Sequence, residues 1–85
     1  MIVLDTNVLS ELLAPSPALA VVAWLAAQPA AAVFTTSVTE AEILYGLALF
    51  PDSRRREALE AAVRPIFAED LAGRVLAFDR DAAQS

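Results

Sequence analysis

The spacing of apolar residues predicts a strand at the start of the chain and a helix directly after it. Residues 2–4 are apolar and mostly β-branched, the composition of a short buried strand. Asp5, Thr6 and Asn7 follow, and all three residue types can cap a helix N-terminus or its first turn. Apolar side chains then recur with helical spacing at Val8, Leu9, Leu12 and Leu13. The segment therefore predicts a strand, a tight turn and a helix.

The middle of the chain predicts two more helices and a second strand. Pro15 and Pro17 end the first helix and open a second one, which is apolar all round, so we expect both of its faces to be buried. Residues 32–36 have the pattern of a second short strand. Ser37 and Glu40 have the spacing of a capping box, which predicts the start of a third helix.

The last part of the chain predicts a fourth helix and a third strand. The helix covers residues 54–63, with Leu59 and Val63 on its apolar side. Gly73 then frees the backbone for a strand at residues 74–78. Because strands and helices alternate without hairpin signals, we expect an α/β fold in which helices cover both faces of a parallel sheet.

Length and hydropathy favour one packed domain over a membrane protein. The chain has 85 residues, 58% of them apolar, which excludes a disordered segment. Its longest apolar run, Ala18 to Ala27, is half of the roughly 20 residues that a membrane-spanning helix needs. The N-terminus lacks the basic segment and cleavage site of a secretory signal. We therefore expect a cytoplasmic protein without a membrane partner.

The composition also restricts the available chemistry. The chain contains no Cys and no His, so thiolate ligands and imidazole bases are absent. Its net charge of −5 is unsuited to binding nucleic acid through a broad basic surface. Any catalysis must use carboxylates, and an RNA substrate would have to be bound through cations or a small local patch.

Asp5 is the first candidate carboxylate, because it follows a strand. In open parallel sheets ligands bind beyond the carboxyl ends of the strands. The alternative is that Asp5 only caps the first helix. Thr6 or Asn7 could provide that cap instead, which would leave Asp5 without a structural role.

Glu42 is the second candidate. Glu40 is explained by the capping box with Ser37, whereas Glu42 has no such explanation. It shares a helix face with Val38, Tyr45 and Leu49, where an unpaired carboxylate would be costly unless a cation met it. The alternative is a solvated position at the edge of that face.

Three segments give the chain a family resemblance. Residues 5–11, Asp-Thr-Asn-Val-Leu-Ser-Glu, are similar to the opening of PIN-domain toxins of the VapC type. Residues 36–46, with Glu42 to Gly46 as Glu-Ile-Leu-Tyr-Gly, resemble the second motif of that family. Residues 73–79 resemble its third strand and the helix cap after it. The three segments occur in the family's order and cover nearly the whole chain.

The resemblance implies a PIN-like three-layer fold with a parallel sheet, in which the second strand lies between the first and third. The family's third and fourth acidic residues belong to a later helix and to the end of a fourth strand. We therefore expect residues 1–85 to be a single PIN-like domain, C-terminally incomplete and truncated after the third strand.

The resemblance also implies a function, that of a Mg²⁺- or Mn²⁺-dependent endoribonuclease. Asp5 and Glu42 would be catalytic residues and metal ligands, with Thr6 and Asn7 supporting them. The implied partners are an RNA substrate, a cognate antitoxin and a second copy in a homodimer. With only two of the acidic residues present, we expect the chain on its own to be inactive.

Two other functions are compatible with parts of the pattern. A non-catalytic PIN remnant could dimerise or bind an antitoxin without cutting RNA. A phosphatase of the haloacid dehalogenase type also begins with an Asp after an apolar strand. It requires a second Asp two residues later, where this chain has Asn7, so we discount it.

The remaining charged groups have structural explanations. Asp79 and Asp81 follow the third strand. At roughly 4.8 Å per strand, the third strand would lie about 10 Å from the first, which is too far for one shared ion. We assign Asp79 to a helix cap and Asp81 to the first turn of that helix. Residues 54–56 are all Arg and either contact RNA phosphates or form a solvated face balanced by acidic neighbours, namely Asp52, Glu57 and Glu60.

Overall fold

Three short strands alternate with four helices in the computed structural model, which describes residues 1–78 and Arg80. The strands are β1 (Ile2–Val3), β2 (Val33–Thr36) and β3 (Val75–Leu76). The helices are α1 (Thr6–Leu12), α2 (Leu19–Ala26), α3 (Ser37–Ala48) and α4 (Arg54–Pro65). A 3₁₀ turn at Ala30–Ala32 precedes β2, and a π-helical turn at Ile66–Asp70 follows α4. The expected order of elements is confirmed, with strands shorter than their apolar runs.

The strands form a parallel sheet in the order β1-β2-β3, as expected. Ile2 pairs with Val33, and Thr35 pairs with Val75. The pairing of the first two strands continues past β1, since the backbone N–H of Leu4 donates to the Phe34 carbonyl at 2.7 Å. Gly73, with φ of +73°, turns the chain into β3 as predicted. The sheet therefore brings the carboxyl ends of β1 and β2 side by side.

Helices cover one face of this sheet in the part of the chain that the structure describes. Leu4, Val33 and Thr35 share that face and are all buried. Val3 and Phe34 point to the other side, and neither is buried. Both strand connections step in the same direction across the sheet, so right-handed crossovers place their helices on the same side. The expectation that helices cover both faces is therefore not met within residues 1–78 and Arg80.

The core lies between the sheet and these helices. Its buried apolar members are Leu4, Leu9, Val33, Ile43, Leu47, Val63, Phe67 and Leu71. From α2 only Leu25 packs against this cluster, while Leu19 and Trp24 are 84% and 45% exposed. The prediction that both faces of α2 are buried is wrong, because this helix lies against α1 at the outside of the described structure.

Within residues 1–78 and Arg80, no helix is long and apolar enough to cross a membrane.

Candidate active site

Asp5, the first candidate residue of the site, is the N-cap of α1. Its backbone is extended, with φ of −87° and ψ of 175°, and its Oδ1 accepts a hydrogen bond from the Val8 N–H at 2.9 Å. The interpretation that Thr6 or Asn7 provides the cap is wrong, because both residues already lie within the helix. The cap hydrogen bond uses one carboxylate oxygen of an exposed side chain. Asp5 therefore has a structural role and can still take a cation at its outer oxygen.

Thr6 joins the start of α1 to the start of α3. Its hydroxyl donates to the Thr39 Oγ1 at 3.3 Å, and Thr39 is only 5% exposed. The Thr39 N–H in turn donates to the Thr36 Oγ1 at 3.2 Å. This chain of hydroxyl contacts fixes the first turns of the two helices against each other. Asn7 is exposed, and its side chain takes part in none of the hydrogen bonds found among the described residues.

The cap of α3 differs from the one predicted. Thr36, the last residue of β2, is the N-cap, so Ser37 lies one position too late to act with Glu40 as a capping box. The Ser37 hydroxyl instead accepts a hydrogen bond from the Phe78 N–H at 3.0 Å. Glu40 is half-buried in the first turn of the helix, where its negative charge interacts favourably with the positive end of the helix dipole.

Glu42 lies one helical turn after Thr39 and is exposed. Its expected neighbours on the same face, Tyr45 and Leu49, are each 68% exposed. The predicted desolvation cost at this carboxylate is therefore wrong, because the apolar face around it is in contact with solvent. The Thr6–Thr39 hydrogen bond joins α3, the helix that carries Glu42, to the helix that follows Asp5.

The donor set at this edge of the sheet consists of oxygen atoms. Carboxylates and hydroxyls suit hard cations such as Mg²⁺ and Mn²⁺. Among residues 1–78 and Arg80, no group of three or more potential ligands is close enough to hold a metal ion. An ion here would use at most two acidic side chains of the described chain and keep several waters. The predicted roles of Asp79 and Asp81 lie outside the described residues.

A cleft of about 410 Å³ opens beside these residues, between α1, α3 and α4. Thr6 lines it from α1, Glu42 from α3 and Arg55 from α4. The Arg55 guanidinium lies over the Phe50 ring, 5.4 Å from its centroid. Arg56 instead forms the ion pair expected of a solvated face, with its Nε 2.9 Å from the Glu60 Oε1.

Sequence reasoning missed Arg55 as a cleft residue. Arg55 stands within the Arg run at residues 54–56, and only Leu59 and Val63 are predicted on the apolar side of α4. Extending that face back by one turn leads to Arg55, which lines the same cleft as those two residues. The i, i+4 spacing was the available signal for separating Arg55 from Arg56.

Comparison with known proteins gives the class of the chain. The family model described as PIN domain matches residues 2–84, so the chain belongs to the PIN-domain family. VapC ribonuclease Y4jK of Sinorhizobium fredii is 45% identical over 85 residues, covering 100% of this chain and 61% of that protein. Toxin FitB of Neisseria gonorrhoeae is 41% identical over 87 residues, covering 98% of this chain and 60% of that protein.

Solved structures agree with this assignment. The crystal structure of FitAcB from Neisseria gonorrhoeae matches with a TM-score of 0.82 and 38% identity, over 99% of this chain and 60% of that one. The structure of FitAB bound to IR36 DNA fragment matches with a TM-score of 0.80 and 39% identity. The PIN-like fold expected from the sequence is confirmed. The chain spans about three-fifths of the length of these relatives.

Proposed function

We propose that this chain forms the metal-binding and RNA-binding part of a toxin-type PIN endoribonuclease. The observation that carries the proposal is the Thr6–Thr39 hydrogen bond, which holds together the first turns of the helices bearing Asp5 and Glu42. Membership in a family with relatives named as a ribonuclease and a toxin supports this reaction class. The substrate is then RNA, and the reaction is hydrolysis of a phosphodiester bond.

The residues present fit a Mg²⁺ or Mn²⁺ cofactor. Asp5 would hold the ion through the carboxylate oxygen that does not cap α1, and Glu42 would hold it from α3. When bound, such an ion lowers the pKa of a coordinated water and stabilises negative charge on phosphate oxygens. Thr6 keeps the two helix starts in register, and Asn7 lies on the exposed side of α1, where it can bond to coordinated water.

Carboxylates are the side chains of this sequence that suit general base catalysis. The chain contains neither His nor Lys, and its Arg side chains are too basic to accept a proton. In-line attack on phosphate requires stabilisation of both the attacking and the leaving oxygens, which two carboxylates do not organise well. We therefore expect residues 1–85 to bind metal and RNA without cleaving the RNA.

The proposal is tested by measuring RNA binding and RNA cleavage on the same protein. The chain is expected to bind a fluorescein-labelled single-stranded RNA in Mn²⁺, to lose binding in EDTA, and to leave a fluorogenic RNA uncut. Asp5→Asn, which keeps the cap but removes the charge, is expected to bind RNA equally weakly with and without Mn²⁺. Equal binding of the original chain in Mn²⁺ and EDTA would contradict the proposed function. Mn²⁺-dependent cleavage that disappears in Asp5→Asn would show that two carboxylates suffice.

We further propose that the partners are a cognate antitoxin and a second copy of the chain. Apolar side chains that suit contact with such partners are exposed at Trp24 on α2, at Tyr45 on α3 and at Leu49, the C-cap of α3. These faces equally suit the alternative function, a PIN module that binds antitoxin or dimerises without acting on RNA. That alternative predicts no metal-dependent RNA binding, so the experiment above separates the two functions.

A further inference from the structure

We propose that the cleft between α1, α3 and α4 is a subsite for one nucleoside of the RNA, next to the proposed metal site at Asp5 and Glu42. The inference rests on the proposed function, since it names where the substrate lies relative to that site. The cleft adjoins that site, because Thr6 and Glu42 line it. A nucleotide next to the scissile phosphate would therefore enter the cleft.

Gly46 indicates that the cleft is kept open for a ligand. It lies within α3, where glycine destabilises a helix relative to alanine. Its φ is not positive, and a Cβ built on it meets nothing within 4 Å. Neither backbone conformation nor close packing within the described chain requires glycine at this position. What the missing side chain provides is open space in the cleft that Gly46 lines.

The size and the walls of the cleft fit a nucleobase. Its volume of about 410 Å³ lies within the range of small-ligand sites. The walls are mostly aliphatic, with the Phe50 ring at one side and the Ser10 hydroxyl within the lining. Nucleobases have apolar faces and polar edges, and unpaired RNA bases stack on aromatic side chains. A base can therefore place its faces against the walls and an edge toward the hydroxyls.

Arg55 supplies the charge that distinguishes RNA from an apolar peptide as the occupant. The chain carries a net charge of −5, whereas the cleft lining contains one cation, Arg55, and one carboxylate, Glu42. The Phe50 ring holds the Arg55 guanidinium in place, at a centroid distance of 5.4 Å. This side chain would bind a phosphate next to the bound nucleoside. The scissile phosphate would lie toward Glu42. The Arg55 charge favours RNA, and a cation held by Asp5 and Glu42 would favour it further.

The first test adds a side chain at Gly46 that would occupy part of the cleft. Gly46→Leu is expected to weaken binding of a labelled single-stranded RNA at least about fivefold, the smallest loss associated with one stacked base. The melting temperature should not fall, because the new side chain enters open space. Affinity for Mn²⁺ should be unchanged, since the metal ligands are untouched. Gly46→Ala, which adds a single methyl group, is expected to have a smaller effect on RNA and to raise the melting temperature.

A matched pair of charge variants tests the role of Arg55. Arg55→Gln is expected to weaken RNA binding and to reduce the salt dependence of binding by about one phosphate contact. Arg54→Gln removes the same charge from the adjacent exposed residue, which does not line the cleft, and should change binding much less. Equal effects of the two substitutions would contradict a specific role for Arg55.

The outcomes separate failure of the subsite from failure of the function. If Gly46→Leu binds RNA like the original chain while Mn²⁺ dependence persists, the subsite is wrong and the proposed function stands. If the original chain binds no RNA at all, both proposals are wrong. If Gly46→Leu alters the sedimentation of the protein but not its RNA affinity, the cleft is an interface between protein chains, which also overturns the inference.

Discussion

Glu42→Gln is expected to weaken Mn²⁺ binding at least about tenfold and to leave the melting temperature unchanged. Even residues that only orient metal ligands contribute roughly 10–100-fold to affinity, so loss of a ligand charge should cost no less. Glu42 is exposed, and its carboxylate forms none of the ion pairs found among the described residues, so its loss removes no structural contact seen there. Isothermal titration with Mn²⁺ and thermal unfolding measure the two quantities.

The two roles of Asp5 can be separated by a pair of substitutions in the same experiment. Asn caps helices about as well as Asp, so Asp5→Asn is expected to lose Mn²⁺ affinity with little change in stability. Asp5→Ala should lose the same affinity and, in addition, about 1 kcal/mol of folding free energy with the cap. Undiminished Mn²⁺ affinity in Asp5→Asn and Glu42→Gln would exclude these residues as ligands.

Leu9→Ala is expected to destabilise the fold by about 2–5 kcal/mol, the usual cost of truncating a buried Leu. Leu9 is 3% exposed and attaches α1 to the core beneath Thr6. Small domains have roughly 5–15 kcal/mol of stability in total, so the loss is a large fraction of it. The Thr6–Thr39 contact should weaken with it, because α1 carries Thr6.

Leu19→Ala is the matched control for this substitution. Leu19 is also helical but is 84% exposed, so the same truncation should change stability by less than about 0.5 kcal/mol. Urea unfolding followed by circular dichroism gives both values. Similar losses for the two variants would mean that α2 is buried in solution, for example in a dimer, and that the exposure of Leu19 does not describe the protein in solution.

The parts of the fold that follow from local pattern were predictable. Alternating apolar segments gave the three strands, the four helices and the parallel sheet, because each signal lies within a few neighbouring residues. The candidate carboxylates were placed on the correct elements for the same reason. Asp5 follows β1, and Glu42 lies in the helix after β2.

The features that sequence reasoning missed depend on contacts between elements or on the exact residue at which a strand ends. Thr36 rather than Ser37 caps α3 because β2 ends there, and boundaries are the least regular part of a pattern. The exposure of α2 depends on which neighbours surround it, and its composition cannot show that. The cleft is formed by α1, α3 and α4 together, so Gly46 could not be recognised as a cleft residue from its own segment.

The central claim, that Asp5 and Glu42 form one metal site, is tested most directly by paramagnetic broadening of amide resonances during Mn²⁺ titration. Substoichiometric Mn²⁺ is predicted to broaden the signals of Asp5, Thr6 and Glu42 before all others. Glu69 and Asp70, adjacent and exposed carboxylates elsewhere on the chain, should be affected only at higher concentration. Broadening at these two residues first, or at Asp5 without Glu42, would contradict the claim of a shared site.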